Sequence, residues 1–184
     1  MKGPKTDDSF DLLAINEVLR GNPDAYEGIV NKYQQQLLHL AYSFLGDTQA
    51  AEDAVQEIFI KAYTSLHRFS LDRRFHPWLY SIAVNYLKNV YRKNKKNYSI
   101  QMPDSMVGAD EYPMPEDLLA KKEEIQRIRT AVNRLPVKIR EPFILYYLEE
   151  MKISEISEIL GISMENIKSK LFRGRKIIRK YLIE

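Results

Sequence analysis

The side chains with most to offer chemically lie near the C-terminus, in SEISEILGISMENIKSKLFRGRK, where Lys168, Arg173 and Lys176 are interleaved with Ser169 and Phe172. Ile156, Ile159 and Leu160 end at Gly161, which suits a left-handed turn, and Ser163 can cap the helix that follows. This is the grammar of a helix-turn-helix. At 100° per residue the second helix puts Met164, Ile167, Leu171, Gly174 and Ile178 on a buried stripe. Glu165, Ser169, Phe172, Arg173, Lys176 and Lys180 then point outward. Cations that bond guanine edges or phosphates, with an aromatic ring able to meet a thymine methyl, suit a helix in a DNA major groove. A basic run alone also fits a solvated face; the helix-turn-helix spacing is what turns the reading toward DNA.

A second constellation has the opposite sign. In AEDAVQEIFIKAY, Ala51, Ala54, Ile58 and Ala62 share one helix face with Val55 and Phe59 beside them, while Asp53, Gln56, Glu57 and Ile60 project on the other. An exposed isoleucine ringed by carboxylates, in a stretch without a basic residue from Ala41 to Ile60, fits docking of a basic protein. DNA is excluded there because carboxylates repel phosphate. Periodicity alone also fits an ordinary acidic helix face.

A third constellation runs from Arg68 to Lys96. Asn85 and Asn89, four residues apart, share a face and can bond base edges or phosphates in register. Tyr86, Tyr91 and Trp78 stand among cations, an arrangement suited to stacking unpaired bases, each stack worth about 1–3 kcal/mol. Trp78, Leu79 and Ile82 also fit a core, which is the more natural place for Trp78. An enzymatic site is missing: the seven glycines form no phosphate cradle, and His39, His67 and His76 have no metal-ligand spacing. The sequence therefore predicts no cofactor, no metal and no small-molecule substrate.

The elements that must hold these groups are helical. Tyr26, Ile29, Val30, Tyr33, Leu37, Leu40, Ala41 and Phe44 recur at three- and four-residue steps and stop at Gly46; Ala51–Leu66 repeats the pattern, and Pro77 opens a third helix. Further helices are expected over Asp117–Leu135 and Pro136–Glu150. Between the two sets, Tyr98–Leu118 carries five acids, three prolines and no base, the composition of an extended tether. Two basic segments flank it, Asn85–Asn97 with five bases and Met164–Glu184 with seven. With 184 residues, 45% hydrophobic, the chain can bury a core. Having no cysteine, no long apolar run and no leader-like N-terminus, it is expected in the cytoplasm. The expected fold is all-α, in two small helical domains joined by the acidic, proline-containing linker.

The order AEDAVQEIFIKAY, FHPWLYSIAVNYLKN, acidic linker, RLPVKIREPFILYYLEEMKISEISEILGISMENIKSKLFRGRK resembles the bacterial extracytoplasmic-function sigma factors of RNA polymerase, from about Asn22 onward. The resemblance implies an N-terminal tail over residues 1–12, a sigma-2 domain over 13–97, a linker over 98–116 and a sigma-4 domain over 117–184. It implies that Asp53, Gln56, Glu57 and Ile60 bind the clamp helices of the polymerase beta-prime subunit, with further contacts to the beta subunit. Asn85 and Asn89, with the loop Ser70, Leu71, Asp72, Arg73, Arg74 and Phe75, would open and read the promoter -10 element. Glu165, Lys168, Ser169, Phe172, Arg173 and Lys176 would read the -35 element as duplex. The linker would follow the later path of nascent RNA, and a protein inhibitor, a membrane-anchored anti-sigma factor, would hold the chain inactive at the inner membrane face. Two departures stand out. The loop SLDRRFHPW lacks the usual small residues and sets a proline beside Trp78, and Ser81 stands where the family usually has Arg.

Overall fold

The computed structural model describes residues 8–98 and 130–183, and every regular element among them is helical. The acidic tether and most of the helix expected over Asp117–Leu135 lie outside the described residues; 130–133, at its end, are helical. Helix α1 is Asp8–Leu19, followed by a 3-10 turn at Pro23–Ala25, α2 (Tyr26–Leu45), α3 (Thr48–Ser65), a second 3-10 turn at Leu66–Arg68 and α4 (Phe75–Tyr98). α3 starts where Asp47, in extended conformation, accepts a 2.7 Å hydrogen bond from the Ala50 amide and so satisfies one of the helix's orphan donors. The apolar stripes meet in one core around Ile29, Tyr33, Leu37, Leu40, Ile58, Phe75, Leu79 and Leu87, all fully buried. Tyr26 adds a hydrogen bond from its hydroxyl to the Phe59 carbonyl, 3.0 Å, tying α2 to α3.

Two expectations for this half need correction. Residues 8–12, expected in a tail, belong to α1, whose Asp11 is wholly buried and accepts hydrogen bonds from Lys32 Nζ and Tyr33 Oη, both at 2.6 Å. α4 begins at Phe75 rather than at Pro77, with the proline still inside the first turn, where its missing amide costs nothing.

The C-terminal helices are α5 (Val137–Tyr147), α6 (Ile153–Leu160) and α7 (Met164–Ile183). α5 ends at Tyr147, earlier than the expected Glu150. α7 crosses α5 closely at Gly174, where an added methyl would stand 2.6 Å from the Phe143 ring and 3.2 Å from Ile139. No side chain larger than hydrogen fits that crossing without displacing Phe143. The two halves also pack on each other. Arg140 of α5 is buried, donates 2.7 Å to the Phe44 carbonyl in the last turn of α2, and lies 3.8 Å from the centre of the Tyr91 ring on α4. Among the described residues no helix is long and apolar enough to cross a membrane.

Candidate nucleic-acid interface

The turn between α6 and α7 is built as its residue types require. Gly161 takes φ 64°, and its amide returns to the Ser157 carbonyl at 2.9 Å. Ser157 Oγ donates to the Ile162 carbonyl at 2.6 Å, and Ser163 Oγ accepts from the Asn166 amide at 3.3 Å. Ile167, Leu171 and Gly174 are then buried, and Glu165, Lys168, Ser169, Phe172, Arg173 and Lys176 are all exposed. Phe172 is half open to solvent, with Lys176 Nζ 4.8 Å from its ring centre, so cation and ring form one surface. Met164, expected in the stripe, is exposed: as the first residue of α7 it precedes the packed layer, which begins at Ile167. Behind this surface Arg175 donates 2.9 Å to the Tyr147 hydroxyl, a link to α5 with no trace in the helical period.

On α3, Asp53, Gln56, Glu57 and Ile60 are exposed, and Ile60 is the most open of the helix's large apolar side chains. Gln49 Nε2 donates to Asp53 at 3.2 Å. The patch is wider than the sequence suggested. Tyr63 is exposed one turn on, and Lys61 Nζ lies 5.6 Å from the ring centre of Tyr86 on α4. Burial first, and then the charges of Glu57 and Asp53, push the Tyr86 phenol above its ordinary value.

The loop before α4 forms a turn, the Arg73 amide donating 3.0 Å to the Ser70 carbonyl and Ser70 Oγ donating to the Asp72 carboxylate. That bond, followed by a backbone amide and Arg73, holds Asp72 below the usual carboxylate range. Ser70, Leu71, Asp72, Arg73 and Arg74 are exposed, but Phe75, expected to read DNA with them, is wholly buried. It packs against Phe69, Tyr33 and Trp78, with centroids 5.5, 5.8 and 5.4 Å away, because an aromatic at the start of α4 falls on that helix's apolar stripe. Trp78 is half-buried. Its exposed part lines a cleft of about 450 Å³ with Arg73, Arg74, Pro77, Ser81 and Glu158 of α6. From this cleft Ser81, Asn85 and Asn89 continue along α4 at four-residue steps, the two asparagines exposed and Asn85 Oδ1 accepting from Lys88 Nζ at 3.2 Å. Two guanidinium groups, an indole face and a line of short polar side chains can hold a single strand and stack one of its bases. Among the described residues no His, Asp and Glu cluster could hold a metal ion.

Residues 29–97 match Sigma-70 region 2, and residues 125–178 match Sigma-70, region 4. The chain is 35% identical to the ECF RNA polymerase sigma factor SigW of Bacillus subtilis over 177 residues, 91% of this chain and 94% of that protein. It is 31% identical to the RNA polymerase sigma-H factor of Pseudomonas aeruginosa, covering 94% and 93%, and 29% identical to the ECF RNA polymerase sigma-E factor of Escherichia coli, covering 91% and 92%. In fold it is similar to CnrH in complex with the cytosolic domain of CnrY, with TM-score 0.69, 23% identity and coverage of 94% and 97%. It is also similar to the sigma factor RpoE in complex with the anti-sigma factor NepR from Bartonella quintana, with TM-score 0.62, 21% identity and coverage of 85% and 96%. Both matched regions, in this order and with these relatives along nearly the whole chain, establish that it belongs to the extracytoplasmic-function sigma factors of bacterial RNA polymerase.

Proposed function

We propose that the chain brings core RNA polymerase to a two-part promoter, with α7 reading the -35 element as duplex and α4 with its preceding loop melting and reading the -10 element. The observation that carries this reading is the presence, on one chain, of two differently built surfaces: the exposed basic face of α7, suited to a major groove, and the part-exposed Trp78 beside Arg73, Arg74 and Ser81, suited to an unpaired base. Extruding a base costs a few kcal/mol, and stacking in such a cleft offsets it. On α7 the readers are Glu165, Lys168, Ser169, Phe172, Arg173 and Lys176. At the -10 element they are Ser70, Leu71, Asp72, Arg73, Arg74, Asn85 and Asn89; Phe75 acts only by seating Trp78. Asp53, Gln56, Glu57 and Ile60 bind the polymerase beta-prime clamp helices, with Tyr63 extending the apolar part of that surface, and α7's module also reaches the beta subunit. The first module runs from Asp8, rather than Leu13, to about Asn97, and the second from Asp117 to the end.

The protein acts in the cytoplasm and is restrained by an anti-sigma factor anchored in the membrane; the presence of an inhibitor, though not its anchoring, is supported by a structural neighbour solved in complex with an anti-sigma factor. The decisive experiment is run-off transcription with purified core polymerase and a promoter from the native host. Start-site-specific product with the protein, and none with core alone, is the expected result. A pull-down from the native host should recover polymerase and a stoichiometric inhibitor; recovery of polymerase alone would remove the inhibitor from the proposal.

A further inference from the structure

Among the described residues Asp11 of α1 is the one acid wholly shut off from solvent. Its carboxylate is shared between Lys32 Nζ and Tyr33 Oη, each 2.6 Å away, and Lys32 Nζ lies 5.3 Å from the ring centre of Phe10 and 5.2 Å from that of Tyr33. An apolar side chain would hold α1 on α2 about as firmly, since a buried ion pair adds little net stability. What the pair adds is a fixed position. Phe10 narrows it further: a methyl on Gly28 would stand 2.9 Å from the Phe10 ring, so α1 lies hard against α2. A hydroxyl bonded to a carboxylate is short and directional, so Asp11 sets where the wholly buried Tyr33 ring comes to rest. That ring meets Phe75 edge to face, with centroids 5.8 Å apart. Phe69 and Phe75 stand immediately before and after the loop Ser70–Arg74, 5.5 Å from each other, and both pack on Trp78, at 5.1 and 5.4 Å. The indole therefore rests on two rings, of which one rests on Tyr33.

We propose that Asp11 is a positioning residue for capture of the -10 strand: acting through Tyr33 and Phe75, it fixes the seat of Trp78, on which an unpaired base stacks. This inference rests on the assignment of Trp78 and its neighbouring loop to that strand. α1 carries none of the groups assigned to DNA, so its influence on the strand passes through the aromatic contacts alone. Stacking depends on the plane of the indole as well as on its presence. An indole free to tilt must be ordered at the moment the base arrives, and that ordering weakens the stack. Phe69 and Phe75 also hold the two ends of the loop, so the same contacts keep Arg73 and Arg74 beside the indole.

The chain has a single tryptophan, so its fluorescence reports the seat of Trp78 directly. Tyr33→Phe removes the bond to Asp11 and keeps the ring. Tyr26→Phe, on the same helix, removes a hydroxyl bonded to the Phe59 carbonyl and is the chemically matched control. In the full-length protein, Tyr33→Phe and Asp11→Ala should lower the fluorescence anisotropy of Trp78 and increase its quenching by acrylamide, and Tyr26→Phe should do neither. Tyr33→Phe keeps the test valid if Asp11→Ala misfolds. In holoenzyme, Tyr33→Phe should leave initial capture of the promoter unchanged and reduce the permanganate-reactive open complex about fivefold, the low end for one base stack. Abasic substitution, one position at a time along the non-template -10 strand, then separates positioning from mere stability. Where the stacked base is removed, wild type should fall to the level of Tyr33→Phe, because the variant has already lost that stack. Unchanged Trp78 fluorescence in Tyr33→Phe would overturn the relay, as would an equal melting defect in Tyr26→Phe or losses that simply add at every abasic position. Normal melting by Trp78→Ala holoenzyme would overturn the stacking site and the proposal with it. None of these results touches the sigma-factor reading, which stands or falls on run-off transcription by the wild-type chain.

Discussion

Asp53 and Glu57 have their exposed carboxylates one turn apart on α3 beside Ile60, and they contribute nothing to the core. Reversing both, Asp53→Lys with Glu57→Lys, should therefore leave helix content unchanged while abolishing co-purification with core polymerase, because attraction to a basic surface becomes repulsion. Retained co-purification would remove α3 from that interface. On α7, Arg173→Ala should cost roughly 1–3 kcal/mol of holoenzyme affinity for the upstream element if the guanidinium bonds a base edge. A loss equal on all sequences, with a shallower salt slope, would make Arg173 a phosphate contact instead. These groups were legible in the sequence because an exposed charged residue on a strongly periodic helix can be placed by counting. Phe75 was not. An aromatic beside basic loop residues looks the same whether it faces a base or Tyr33, and only the position of α4's first turn decides. Asp11 was equally hidden, since the partners that make its burial tolerable, Lys32 and Tyr33, lie on the next helix.

The seams between helices carry two further expectations. At the α5–α7 crossing, Gly174→Ala gains about 1 kcal/mol of helix propensity but forces a methyl into the Phe143 ring, and overpacking of that kind costs about 1–3 kcal/mol. Thermal denaturation should show net destabilisation of the C-terminal helices, and a raised melting temperature would mean that Phe143 moves aside freely. At the α4–α6 seam, the approach of His76 is the largest influence on Glu155, ahead of opposing burial; with Arg74 and Lys152 it holds the carboxyl below its ordinary value of 4.5. A lowered folded value means that this contribution is complete above that ordinary value and is lost as pH falls through the folded one. Glu141 has the opposite sign, because burial raises it against the lowering pull of Lys88, Arg92 and Lys170, so the comparison must isolate Glu155. Stability to thermal denaturation should fall more in wild type than in Glu155→Gln as pH drops from above 4.5 through the lower folded value, and equal curves would assign the acid response to other groups. The helices themselves were readable from period three-to-four patterning, turn glycines and prolines. Their seams were not, because nothing in SEISE or in RRFHP alone says that Glu155 and Glu158 will meet His76 and Arg74.

At the scale of the whole chain, the two nucleic-acid surfaces proposed on two modules imply a particular energetics of promoter binding. If the -10 half must be melted before α4 can engage it, the free protein offers duplex DNA only α7, a small surface held mainly by phosphate contacts and steeply salt-dependent. In the proposed mechanism core polymerase would add DNA contacts of its own and hold the modules at a fixed separation, which would make the second contact effectively intramolecular and raise affinity by about 10²–10⁴. A binding isotherm on one promoter duplex at fixed salt, with and without core enzyme, should show that difference. The double variant Asn85→Ala, Asn89→Ala, in holoenzyme, should retain most of the initial capture yet lose permanganate-reactive thymines in the melted region, because those side chains act only on a separated strand. Equal melting by variant and wild type would take both asparagines out of the -10 site. Nanomolar, sequence-specific duplex binding by the free protein, unaltered by core, would contradict the two-module mechanism and describe a regulator that finds its site without polymerase.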